Sequence, residues 1–72
     1  MVTENMQRFM DKNKTNMVVL GEHRTPENTP IANRNDMERV DRILYRLDDG
    51  TEFTITREDA QSAPGFTPDW GL

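Results

Sequence analysis

Apolar and polar residues alternate most regularly between Ile43 and Ile55. Ile43, Tyr45 and Leu47 are separated by polar neighbours except at Leu44, and Phe53 and Ile55 alternate with threonines. β-Branched and aromatic residues at every second position suit a pleated, half-buried strand. Asp48-Asp49-Gly50, between the two runs, is turn chemistry. A second pattern overlaps the first: Met37, Val40, Ile43, Leu44 and Leu47 also form a helical stripe, with Arg39, Arg42 and Arg46 beside it. Register separates the two readings. A two-residue Asp49-Gly50 loop would set Tyr45 opposite Thr54 and throw the apolar sets onto opposite faces. A three-residue Asp48-Asp49-Gly50 loop pairs Leu47 with Thr51, Tyr45 with Phe53 and Ile43 with Ile55, gathering the apolar residues on one face. Such a loop is a type I turn closed by a left-handed residue, which gives Gly50 its place. It also sets Arg46 opposite Glu52, a favourable cross-strand pair. The pattern therefore predicts a β-hairpin over about 39–47 and 51–56, with room for one helical turn at Asp36 to Arg39.

Around the hairpin the signals are shorter. Met17-Val18-Val19-Leu20, closed by Gly21, predicts a third strand over 17–20. Its lack of alternation suggests burial on both faces or docking at a sheet edge. Thr56-Arg57-Glu58-Asp59 has the form of a capping box, with an acid at its fourth position, and predicts a short helix over 57–63 stopped at Pro64-Gly65. Near the start, Thr3 could cap a helix carrying Met6, Phe9 and Met10 on one side. A lone helix of that length is marginal in water without packing: either Phe9 docks on the core or the segment frays, and residues 1–16 are expected to be a mobile N-terminal segment. Residues 21–36 are polar, with Pro26 and Pro30 favouring extended geometry before them. They read as a flexible loop, or as a binding loop anchored by Ile31. The fold expected is α+β: a small antiparallel sheet built on the hairpin, a third strand, one short helix and mobile ends. Residues 17–63 form its folded domain and residues 64–72 a turn-rich tail holding Phe66 and Trp70.

Composition narrows the functions. The 72 residues are 33% hydrophobic and 31% charged, more polar than an ordinary globular domain. There is no cysteine, and His23 is the single histidine. Neither a disulfide nor a thiolate metal site is available to staple so small a core. Ser62 is the single serine and lies near the end of a short helix, a poor setting for a nucleophile. Asp48-Asp49-Gly50-Thr51-Glu52 superficially resembles a calcium loop. With Gly50 at the sixth position, however, Tyr45, Leu47 and Thr56 would fall where acids must stand. No enzyme activity and no cofactor are expected. No apolar run is long enough to span a membrane, and the first residues lack the order of a signal peptide, so a cytoplasmic setting is expected.

The net charge is −4. Residues 1–36 balance five basic against five acidic side chains, and residues 37–72 set four arginines against eight acids. Direct nucleic-acid binding, which needs clustered basic residues, is not expected. The remaining class is protein binding by a chain that is a monomer when free. Three features could carry it. Arg42, Leu44 and Arg46 would share the hairpin face turned from the core, and arginine beside an apolar anchor is a common interface composition. Asp48 and Asp49 mark an acidic tip. Phe66 and Trp70 either fold back onto the domain or anchor a partner.

In length, acidity, a Met-rich N-terminal segment, a small hairpin core and polar ends, the chain resembles the small phage-encoded regulators of host RNA polymerase. The resemblance implies binding to core polymerase subunits, altered transcription initiation and residence in the host cytoplasm. An inhibitor or DNA mimic directed at another nucleic-acid enzyme, such as an anti-defence protein, is the alternative. A third possibility is a stabilising subunit of an assembly, held by a strand edge.

Overall fold

The computed structural model describes residues 1–70; Gly71 and Leu72, the end of the tail expected over 64–72, lie outside the described residues. In chain order the elements are α1 (Glu4–Asn13), β1 (Val18–Arg24), a 3-10 helix (Arg34–Arg39), β2 (Arg42–Leu47), β3 (Glu52–Thr56) and α2 (Arg57–Gln61). The strands form one antiparallel sheet in the order β1-β2-β3, so the α+β class with a three-stranded antiparallel sheet holds.

The hairpin has the register that apolar alternation requires. Ile43 pairs with Ile55, Tyr45 with Phe53 and Arg46 with Glu52. The Leu47 N–H donates to the Thr51 carbonyl at 2.8 Å and the Gly50 N–H to the Leu47 carbonyl at 2.9 Å, closing the three-residue loop. Gly50 has φ 91°, where a Cβ is strained. Asp49 Oδ1 accepts from the Thr51 N–H at 3.0 Å and stiffens the turn. The first strand starts at Arg42 rather than near Arg39, because the 3-10 helix occupies Arg34–Arg39.

Two expectations about the flanks change. Residues 4–13 are a helix packed on the sheet, not a loosely held segment. Thr3 caps it by accepting from the Met6 N–H. Met6 and Phe9, 0% and 3% exposed, join Leu47, Ile55, Ala60 and Ala63 in the core. A surface to bury those two side chains supplies what the isolated helix lacks. Likewise β1 runs on through Gly21, Glu22 and His23 to Arg24, so the first four residues of the expected loop 21–36 are strand. The chain then turns back through Thr25–Thr29, with Asn28 at φ 63°, and Pro30 bridges Arg24.

The capping box forms as its residues predict: Asp59 N–H donates to Thr56 Oγ1 at 3.1 Å and Thr56 N–H to Asp59 Oδ2 at 3.2 Å. α2 ends at Gln61, two residues short of the expected helix over 57–63. Beyond it the tail folds back. Phe66 meets Phe9 and Tyr45 at ring-centroid distances of 5.8 and 6.0 Å, Trp70 lies over the Arg57 guanidinium at 4.4 Å, and the Asp69 carbonyl accepts from His23 Nε2 at 2.7 Å.

Candidate protein-binding site

β1 is an edge strand, and among the described residues its outer side is open over its first half. The direction of its free backbone groups follows from the hairpin. Because Leu47 bonds to Thr51, the odd-numbered residues of β2 turn their N–H and C=O groups to β3, and Arg42, Leu44 and Arg46 turn theirs to β1. Their partners Arg24, Glu22 and Leu20 are thereby engaged, and Gly21 and His23 point outward. At the strand's start the Met17 carbonyl accepts from Asp48 N–H at 2.8 Å. Across that trans peptide the Val18 N–H also faces outward. A bulge between Val18 and Leu20 leaves Val19 as the extra residue.

The side chains on this edge are apolar and bare. Met17 is 73% exposed, Val19 60%, and Val18 and Leu20 each 37%. Of the two sequence readings for this run, the edge position is the one found, and burial on both faces is not. Alongside lies a groove of about 580 Å³ lined by Val2, Met10, Val18, Tyr45, Pro64 and Phe66, among others. Burial in its wall pushes the Tyr45 phenol above its ordinary pKa. An open row of backbone donors and acceptors beside an apolar groove has the two parts that strand addition uses: main-chain hydrogen bonds, and pockets for alternate side chains.

Of the residues singled out from sequence, Phe66 lines this groove and the others lie elsewhere. Arg42, Leu44 and Arg46 do share the face turned from the core, with Leu20, Glu22, Arg24, Glu52, Thr54 and Thr56 around them. Their charges are already answered within the chain. Arg42 Nε donates to Asp41 Oδ1 at 2.9 Å, which raises the pKa of this guanidinium, and Arg46 Nε donates to Glu52 Oε2 at 2.8 Å. Leu44 between them is half-buried. Asp48 is exposed at the tip. Asp49 is held at a pKa of about 2 by the Thr51 N–H and by Lys12, whose Nζ lies 2.9 Å away. Phe66 belongs to the aromatic cluster and also lines the groove, and Trp70 stacks with Arg57. From sequence, Met17, Val18, Val19 and Leu20 read as a strand either buried on both faces or docked at a sheet edge. Their position at an edge follows from β2 taking the centre of the sheet.

Comparison of the chain with protein-family models, with curated proteins and with solved structures gives no match.

Proposed function

We propose that this protein is a small protein-binding regulator that docks through the open edge of β1. The observation that carries this reading is the run Met17–Leu20: four consecutive apolar side chains left exposed at the start of a strand edge that is unpaired among the described residues. Native proteins ordinarily blunt such an edge with lysine, proline or a covering segment, and an exposed apolar patch marks an interaction surface. Pro30 covers the Arg24 end of the edge and the bulge at Val19 interrupts it near its start, but among the described residues no lysine, proline or covering segment guards Met17–Leu20. The partner supplies an extended strand for the edge and an apolar side chain for the groove.

The resemblance to phage regulators directs the first test to bacterial RNA polymerase core subunits, in the cytoplasm, with an effect on initiation. Capture of partners from bacterial lysate on the tagged full chain, followed by mass spectrometry, is the experiment. Enrichment of polymerase subunits that Val19→Lys abolishes supports the reading. No enrichment of polymerase sinks that identification, and capture unaffected by Val19→Lys but lost with Arg42→Glu/Arg46→Glu would move the site to the opposite sheet face. Mimicry of nucleic acid is less favoured, because Asp49 and Glu52 at the hairpin tip are paired with Lys12 and Arg46.

A further inference from the structure

We infer that, with no partner present, the β1 edge closes on a second copy of this chain, joining two sheets antiparallel about a two-fold axis. The edge calls for an extended apolar strand with unpaired backbone groups, and this chain presents such a strand itself. An isologous contact needs a patch that is its own complement. Val18 and Gly21 offer outward N–H groups on both copies, and the exposed side chains of Met17–Leu20 would cover their counterparts. Val18 also forms part of the groove lining, so the second strand would close its open side.

Charge bears on where such a contact can form. Each copy carries −4, so two copies repel overall, and a seam without charged side chains is where that repulsion is least. Residues 15–21, Thr-Asn-Met-Val-Val-Leu-Gly, hold no charged side chain. Lys12 and Lys14 precede that stretch and Glu22 follows it. Antiparallel pairing turns the end of the stretch that follows Lys14 toward the Glu22 end of the other copy, where Glu22 is also held by its own Arg24 at 2.9 Å. Parallel pairing would set Lys14 beside Lys14. The Lys14–Asp11 contact within one chain is long, 3.7 Å, and exposed, so it leaves the ammonium available. The bulge at Val19 and the Pro30 bridge confine the seam to a few residues. The interface thus falls below the roughly 800 Å² per partner of a standard stable complex, and the association is weak and concentration-dependent. This departs from the free monomer expected from sequence, where the openness of the edge was not visible. It also supplies a form of regulation, since a partner strand must displace the second copy.

Sedimentation equilibrium of the purified full chain, from about 10 μM to about 1 mM, tests the inference without any partner present, so its outcome is separate from that of the capture experiment. The weight-average mass should rise from 8.4 kDa toward twice that value and level off. Val19→Lys, with an unchanged far-ultraviolet spectrum, should weaken the association at least tenfold. Amide exchange on the unmodified chain gives a second reading: Val18 and Gly21 should gain protection as concentration rises. A mass fixed at one chain throughout, growth past two copies with no plateau, Val19→Lys associating like the parent, or exchange at Val18 and Gly21 indifferent to concentration would each overturn it.

Discussion

The hydroxyl of Thr3 donates to the carboxylate of Asp59 at 2.5 Å, joining the N-terminal caps of two helices across 56 positions of sequence. Thr3 caps α1 by accepting from Met6, and Asp59 closes the capping box of α2. Asn5 Nδ2 donates to the same carboxylate at 3.1 Å and to the Thr54 carbonyl at 2.8 Å. The Thr3 N–H donates to Ser62 Oγ at 3.0 Å, and that hydroxyl donates to the Asp59 carbonyl at 2.6 Å. One carboxylate thus fixes α1 to the far end of the chain.

Thr3→Ala should cost about 1 kcal/mol and Asp59→Ala about 1.5–3 kcal/mol, the ranges for a lost cap and for a broken hydrogen bond to a charged group. Because both residues act in one network, the double variant should cost less than the sum of the two. Urea unfolding of the four proteins measures this. Strict additivity would show that the two caps act independently.

Acid should loosen the same joint. Burial raises the Asp59 pKa, but the hydrogen bonds from Thr3, Asn5 and Thr56 outweigh it and hold the carboxyl below its ordinary range. Over that interval the unfolded chain binds more protons than the folded one, so stability rises with pH. The contribution is complete above the unfolded carboxyl pKa of ~3.9 and is lost as pH falls through the folded value. Asp49, held at about 2, acts in the same direction. Melting temperature should therefore drop as pH falls below the ordinary carboxyl range, and Asp59→Asn should flatten part of that drop. An identical pH profile for the variant would remove Asp59 from the account.

Gly50 tests the turn alone. A Cβ there would meet nothing within 4 Å, so its cost is purely that of φ 91°. Gly50→Ala should destabilise by about 1–2 kcal/mol, and Gly50→Asn by less, since asparagine tolerates the left-handed region. Equal stability of Gly50→Ala and the parent in thermal melts would mean that the turn adopts another geometry in solution.

Phe9 touches the rings of Tyr45, Phe53 and Phe66 at centroid distances of 5.1–5.8 Å. Phe9→Ala should cost about 3–5 kcal/mol, comparable to the whole stability of a domain worth roughly 0.05–0.15 kcal/mol per residue. The expected result is loss of the cooperative melting transition and of dispersed methyl resonances. Near-parental stability would mean that α1 contributes little to the core.

The hairpin was legible because its evidence is local. Turn chemistry at Asp48-Asp49-Gly50 and two-residue alternation on either side leave one register that puts Ile43, Tyr45, Leu47, Phe53 and Ile55 on a single face. The capping box at Thr56–Asp59 is local in the same way. The N-terminal helix was half legible. Thr3, Met6 and Phe9 mark it, but nothing within residues 1–14 indicates that Leu47 and Ile55 will offer a surface for it. The candidate site was legible as a strand with the sheet edge as one of two positions, and the choice between them was not, because Met17–Leu20 reads alike whether it lies at the centre of a sheet or at its rim.

The sequence by itself determined the hairpin, its loop length and the face turned to the core, since side-chain alternation and the left-handed residue of a turn depend on neighbours a few positions away. Only the tertiary structure decided that Thr3 meets Asp59, that Phe66 and Trp70 fold onto the domain, and that β1 stands open at the edge. Each of these depends on which distant segments converge on one surface. Burial, pairing and exposure are properties of that convergence, and no short stretch of the chain carries them alone.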